Sequence, residues 1–256
     1  MAAAEYPNVF ITGASGGLGR GFALWFARRG SRVYAAARRT TLLESLQAKA
    51  AEEAAPGTIV PVPLDVSDTQ ATVERMQALD RESGGIDLVI ANAGVGALTN
   101  ARRLRWPTLE HLLQVNIMGA AATLTALLPA MVERDRGHLV AMSSLAAWVL
   151  PPRQWGYSIS KQFVASMCAG LRQDLQGTGV RVTSIHPGFV KSDMTAGNTF
   201  KMPFLLETED AVERMGQAIV RGDAVYAFPW PLAAVTRASG LIPAPLKRLI
   251  YRRAGS

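Results

Sequence analysis

The sequence predicts an α/β fold, a doubly wound parallel sheet of about seven strands with helices on both faces. Three observations lead there. Short apolar runs alternate with amphipathic segments of helical length from the first residues onward, the order expected of βαβ units. The runs are apolar at successive positions, as strands buried on both faces must be. The first of them stops at a glycine cluster, TGASGGLG (12–19), that opens directly into a helical pattern.

NVFIT (8–12) is the first strand and Gly13 ends it. LGRGFALWFARRG (18–30) has helical spacing, with Gly30 as its stop signal. RVYAAA (32–37) is the second strand; a helix at 41–54 closes at Pro56-Gly57, and TIVPVPLDV (58–66) is the third strand. A helix over 69–82 leads to IDLVIANAG (86–94), a strand that runs into a turn of small residues. A helical tract from Pro107 to Glu133 precedes the strand GHLVAMSS (137–144). A helix at 155–176 then leads to VRVTSIHPG (180–188), the sixth strand. ETEDAVERMGQAIVRG (207–222) is a charged amphipathic helix, and AVYAFP (224–229) completes the set. No Pro/Gly/Ser-rich linker, repeat or low-complexity tract divides the chain, so residues 1–256 are expected to form a single domain.

Composition narrows the possible functions. Apolar residues make up 49% of the chain and charged ones 18%, enough for a large core. One cysteine, Cys168, excludes an intrachain disulfide and a multi-cysteine metal site. His111, His138 and His186 lack metal-ligand spacing, so no metal is expected. No unbroken apolar run reaches the roughly 18 residues of a membrane span. The start, MAAAEYPNVFITG, lacks a basic segment followed by a long apolar one, and a cytoplasmic location is the expectation. The net charge of +7 is spread over small clusters such as Arg28/Arg29 and Arg102/Arg103/Arg105. None is interleaved with aromatics on a nucleic-acid motif, so no nucleic-acid partner is expected.

Ligands of such a sheet bind beyond the carboxyl ends of the strands, where strand order reverses. Gly13, Gly17 and Gly19 permit positive φ and close approach of phosphate oxygens to the backbone. The helix that starts near Gly17 offers free N–H groups to a pyrophosphate. A tight turn without a ligand would use the same residues, but its place after the first strand favours phosphate. AAARRT, at the end of the second strand, has no carboxylate to hold a ribose 2′-hydroxyl; Arg38 and Arg39 stand there instead. Guanidinium groups suit a 2′-phosphate, so NADP(H) is expected over NAD(H). An arginine pair that merely starts a helix is the alternative.

YSISK (157–161) sets Tyr157 and Lys161 four residues apart, on one helix face. A nearby ammonium favours the phenolate and lowers the phenol's pKa. An exposed pair on a helix surface would read the same way.

With these residues in place, the chain resembles the short-chain dehydrogenase/reductases in their single-domain, Rossmann-like branch, over residues 7–230. TGASGGLG, with Gly13, Ser15, Gly17, Leu18 and Gly19, matches that family's glycine-rich turn. LDV, with Asp65 and Val66, resembles its adenine-contacting segment, and Asn92, Ala93 and Gly94 its N-A-G turn. Asn116 in LQVNIMG falls at the family's asparagine. Ser144 lies 13 residues before Tyr157, the family's spacing, which selects it over Ser143. Tyr157 and Lys161 fill Y-x-x-x-K. HPGFVKSDM (186–194) resembles the P-G loop, with Pro187, Gly188, Val190 and Ser192 toward the cofactor. Departures are Ala147 where a glycine is usual, Leu18 for isoleucine, and Ala91 for the first asparagine of N-N-A-G.

The resemblance implies an oxidoreductase that interconverts a carbonyl and an alcohol, with Tyr157 as general acid/base. Lys161 would hold the ribose and lower the Tyr157 pKa, Ser144 would bond the substrate oxygen, and Asn116 would hold a relay water. Residues 189–210 are expected to form a substrate lid. Phe189 and Met194 in the lid, with Trp148 and Trp155 beside the site, suit an apolar small molecule, though packing of the lid would use the same residues. The tail, 240–256, combines apolar with basic residues and is expected to fold back on its own domain, peripheral membrane contact being less favoured. The resemblance also implies a homodimer or homotetramer. The alternative function is a non-catalytic dinucleotide-binding sensor, which usually lacks the tyrosine or the lysine.

Overall fold

Alternating side chains on each strand send apolar groups to both faces of one sheet, and helices cover both. The computed structural model describes residues 4–196 and 202–239. Its strands are β1 (Asn8–Thr12), β2 (Arg32–Ala37), β3 (Thr58–Pro63), β4 (Leu88–Ala91), β5 (Gly137–Met142), β6 (Val180–Pro187) and β7 (Val225–Phe228). They pair in the order β3-β2-β1-β4-β5-β6-β7, all parallel. The order reverses between β1 and β4, so the ligand crevice of such a fold falls beyond the ends of these two strands.

The helices are α1 (Gly17–Ala27), α2 (Thr40–Glu52), α3 (Thr69–Ser83), α4 (Trp106–Leu113), α5 (Ala120–Thr125), α6 (Leu128–Glu133), α7 (Trp155–Asp174), α8 (Asp193–Ala196), α9 (Thr208–Arg221) and α10 (Trp230–Ser239). Val9 and Ile11 of β1 face Phe22, Phe26, Leu43 and Met215 of α1, α2 and α9. Phe10, between them, faces the opposite cluster with Met76, Leu124 and Val164 of α3, α5 and α7. That is the period-two alternation of a strand covered on both sides. Cys168 is buried in the second cluster.

Several expectations are corrected. The third and fourth strands stop at Pro63 and Ala91, before Asp65 and Asn92, because the chain there turns away to form the site. The helix expected to end at Gly30 ends at Ala27, with Gly30 at φ +91° in the turn that follows. The tract 107–133 is interrupted by a π-helical turn, Gln114–Gly119, and again before Pro129, which has no N–H to continue the ladder. Trp106–Glu133 is also long and apolar enough to cross a membrane, which counting unbroken apolar residues passed over. Leu124, Leu127 and Met131 of that tract pack into the second core cluster, as in a core helix. Not foreseen were α8, α10 and the 3₁₀ turns Ala101–Arg103 and Leu145–Trp148. The tail, 240–256, and residues 197–201 of the lid lie outside the described residues.

Candidate active site

The ends of β1 and β4 are stitched together first. The Thr12 hydroxyl accepts from the Asn92 and Ala93 amides at 3.1 Å each, and the Asn92 side chain donates to the Thr12 carbonyl at 2.9 Å. Gly13 turns here with φ +69°, and a Cβ on it would stand 2.9 Å from Ala93 Cα. Gly17 opens α1 at φ +49°. Side chains at these two positions would be strained, so the turn presents bare backbone to the crevice.

The crevice has a volume of about 330 Å³. Gly13, Ser15, Gly17 and Leu18 line one wall, with Arg38 and Arg39 after β2 and Asp65 and Val66 after β3. Asn92, Ala93 and Gly94 after β4, with Tyr157, Lys161, Pro187, Ser192 and Met194, complete the lining. The structure thus gathers most of the predicted positions into one place. Lining residues that the sequence reading missed include Gly16, Ala37, Leu64, Val95, Val115, Met142, Ser143 and Asp193. Most lie next to predicted positions, and that adjacency was the only signal for them.

Other predicted positions lie outside this lining, most of them engaged in packing. A Cβ on Gly19 would overlap the Gly13 carbonyl, so Gly19 serves close packing of α1 on the turn. Gly188 fits against Pro229, and its amide donates to the Phe228 carbonyl at 2.8 Å. Val190 is 5% exposed and belongs to the first core cluster. Phe189 is tied into the lid through its carbonyl, which accepts from Leu206 N at 3.1 Å. Trp155 is the first residue of α7 and stays outside the crevice. Trp148 is claimed by two neighbours: the His186 ring stacks on it at 4.6 Å, and the Arg237 guanidinium stands 4.4 Å over its ring.

Carboxylates reach both arginines, although none follows β2. Arg38 pairs with Asp65 at 3.6 Å and Arg39 with Asp193 at 3.9 Å, while Arg39 Nε donates to the Ser15 hydroxyl at 3.1 Å. Partial burial works to raise the Asp65 pKa, but hydrogen bonds from the Ser67 amide and hydroxyl, with the Arg38 charge, bring it below the ordinary carboxylate value.

Tyr157 and Lys161 share a face of α7, with Lys161 Nζ 5.8 Å from the phenol ring centre. Lys161 is 5% exposed, its Nζ donates to the Met142 carbonyl at 2.8 Å, and burial pushes its pKa down to about 8. Burial also holds the Tyr157 phenol above its ordinary pKa, and a hydrogen bond with Ser144 opposes that only in part. The lowering expected from Lys161 is not found in the protein alone, where burial, opposed only by Ser144, sets the direction. Gly94 leaves room for this cluster: a Cβ on it would stand 3.3 Å from Lys161 Nζ and 3.4 Å from Asn116 Oδ1.

Asn116, in the π-helical turn, spends its side chain on the protein. Its Oδ1 accepts from Val95 N at 2.8 Å, and its Nδ2 donates to Val95 O at 2.9 Å and to Ser160 Oγ at 3.1 Å. It braces the loop after β4 against α7, which leaves that side chain little capacity for the relay water the resemblance implied. Ser144 lies outside the crevice lining and caps the turn Leu145–Trp148, its Oγ accepting from Ala146 N at 3.1 Å. Ser143 donates to the Lys161 carbonyl at 2.8 Å. His138 and His186 are buried and His111 is exposed; no group of metal-ligating residues occurs among the described residues.

A glycine turn, two arginines and a Tyr–Lys pair in one crevice of a doubly wound sheet are the arrangement of a nucleotide-binding α/β protein. Residues 7–202 match the family model described as short chain dehydrogenase. The chain is 56% identical over 253 residues to an uncharacterized oxidoreductase of Myxococcus xanthus, covering 99% of each. It is similar in fold to a short-chain dehydrogenase of Sphingobium yanoikuyae in complex with NADPH, with a TM-score of 0.80 and 24% identity over 97% of this chain and 94% of that one. A short chain dehydrogenase/reductase of Burkholderia phymatum in complex with NAD gives a TM-score of 0.83 and 23% identity over 93% and 94%. The chain belongs to the short chain dehydrogenase family and is an oxidoreductase of that family.

Proposed function

We propose that the protein interconverts a carbonyl and an alcohol on an apolar small molecule, with NADP(H) as cofactor and Tyr157 as general acid/base. The observation that carries this reading is one crevice lined by Tyr157 and Lys161 together with Arg38 and Arg39. The residues fit a phosphorylated dinucleotide. The turn at Gly13 and Gly17 exposes backbone where a side chain would be strained, and the N-terminus of α1 favours a pyrophosphate. Arg38 and Arg39 would exchange their carboxylate partners for a 2′-phosphate, a charge-assisted contact. When bound, the nicotinamide supplies or accepts the hydride.

Tyr157 gives a proton to the developing alkoxide, or takes it in the reverse direction, and Ser144 orients the substrate oxygen. Bringing a phenol from about 10 to near 7 takes roughly 4 kcal/mol. The protein alone acts in the opposite sense, so Lys161 has to supply it as water leaves the crevice and its charge gains weight. An apolar substrate is supported by Met194, 48% exposed in the crevice wall, and by exposed Leu150 beside the site and Phe204 in the lid. Trp106, Met118, Ile159 and Phe163 leave apolar surface on the helices after β4 and β5, which supports assembly as a homodimer or homotetramer.

The test is the loss of reduced-nicotinamide absorbance with NADPH or NADH, over ketones and aldehydes of increasing apolar size. Turnover is expected with NADPH, rising with apolar size and falling at least ~100-fold in Tyr157→Phe. Preference for NADH, or unchanged turnover in Tyr157→Phe, would overturn the reading.

A further inference from the structure

We propose that His186 is a positioning residue for Ser144, gripping both ends of the turn on which Ser144 sits. The inference rests on the reading of Ser144 as the hydrogen-bond partner of the substrate oxygen. The turn is short: Ser144 is its extended N-cap, at φ −168°, and Trp148 is its last residue. His186, on β6 and 2% exposed, meets both. Its Nδ1 lies 3.3 Å from the Ser144 carbonyl oxygen, and its ring stacks on the Trp148 indole with centroids 4.6 Å apart and planes within 16°. The Ser184 hydroxyl, 3.2 Å from Nε2, holds the other side of the ring. Arg237 of α10 stands over the same indole, a cation–π contact that closes the stack.

Chemistry sets the proton positions. The Ser144 carbonyl can only accept, so Nδ1 carries the hydrogen. Nε2 is then bare and accepts from the Ser184 hydroxyl. Burial first, then the Arg237 and Arg172 charges, hold the imidazole pKa near 4, against the Ser144 carbonyl, which raises it. The ring is neutral at working pH, with one donor and one acceptor for two complementary partners. With its carbonyl held by His186 and its Oγ accepting from Ala146 N, Ser144 is fixed at the start of the turn, which sets how its hydroxyl meets the substrate oxygen.

His138 provides an internal reference. Its Nε2 faces Thr183 Oγ1 at 2.8 Å, and that hydroxyl donates to the Asp223 carbonyl at 2.7 Å. Thr183 therefore accepts from His138, whose hydrogen is on Nε2, the opposite tautomer.

The test has two arms. In the cofactor-free protein, imidazole ¹⁵N shifts, assigned with His138→Gln and His186→Phe, should show His186 protonated at Nδ1 and His138 at Nε2. A His186 hydrogen on Nε2 would remove the bond to Ser144 and overturn the proposal. In turnover, His186→Phe keeps a ring against Trp148 but loses the donor, and a tenfold or greater fall in kcat is expected, with the cofactor KM little changed. His186→Asn, which keeps a donor, should recover part of it. The same His186→Phe change should cost nothing further in a Ser144→Ala background. An equal loss in both backgrounds would assign His186 a merely structural role and overturn the proposal alone. A Ser144→Ala protein as active as the parent would overturn the reading of Ser144 itself, and with it the proposal.

Discussion

Replacing Lys161 with methionine should remove activity and stabilise the cofactor-free fold. Burial depresses the ammonium's pKa from 10.5 to about 8. At 1.36 kcal/mol per unit, that is roughly 3 kcal/mol of native-state penalty at pH 7. Methionine keeps most of the stem and carries no charge. It forfeits the bond to the Met142 carbonyl, which costs about 1 kcal/mol, so Lys161→Met should be more stable by about 2 kcal/mol at pH 7. For a chain of this length, that raises Tm by roughly 4–8 °C. The sign follows from linkage: between pH 8 and 10.5 the unfolded chain still holds a proton that the folded lysine has released. Wild-type stability therefore rises through that window relative to the variant. Urea unfolding of both proteins at pH 7 and pH 10.5 measures it, and most of the gap should close at the higher pH. A variant less stable than wild type at pH 7, or a gap independent of pH, would refute the reasoning.

His138 should govern part of the acid limb of stability. It is fully buried, and desolvation together with the Arg181 charge lowers its pKa from 6.5 to about 3. As pH falls from 6.5 to 4.5, the unfolded histidine takes up a proton that the folded one refuses, costing on the order of 2–3 kcal/mol. His138→Gln should lose that much less stability between pH 7.5 and 4.5, measured by urea unfolding; an unchanged difference would mean the ring protonates in place. Two glycines should respond in opposite directions. Gly19→Ala would drive a methyl into the Gly13 carbonyl and should destabilise by about 3 kcal/mol or more. Gly170→Ala, inside α7 with nothing within 4 Å of the added carbon, should stabilise by up to about 1 kcal/mol, both read from Tm.

All seven strands and their parallel direction could be read from the sequence because each is a self-contained apolar run bounded by turn residues, and β2 kept its predicted limits. The break in the tract 107–133 could not. Its apolar spacing continues through Gln114–Gly119, and the reason for the π-helical turn is remote: Asn116 reaches across to Val95. WPLAAVTRAS (230–239) follows Pro229 with no helical mate in the sequence to suggest what it packs on, yet it forms α10 and reaches Trp148 through Arg237. Within the site, positions defined by backbone conformation, such as Gly13 and Gly17, were legible because turn chemistry is local. The partners of Trp148 were not, since they arrive from β6 and α10. Apolar character suggested a substrate wall for Trp148 and gave no hint of the stack its indole makes with His186.

The motif positions divide by what they do in the cofactor-free fold, and that division bears on the choice between an enzyme and a binding protein. Gly19, Asn92 and Asn116 all serve packing or stitching between β1, β4 and α7. A sensor that only binds a dinucleotide would need them as much as an enzyme does, so they cannot discriminate. Arg38 and Arg39, on the proposed reading, would serve binding in either case. Lys161 is different: it sits buried beside Tyr157, desolvation alone lowers its pKa, and among the described residues no carboxylate offsets the charge. A scaffold gains nothing by burying an uncompensated ammonium next to a phenol whose ionisation burial also opposes. The Lys161 ammonium alone is held at a cost, and a phenolate forming on Tyr157 beside it would offset that charge, an arrangement that favours the enzyme over the binding protein.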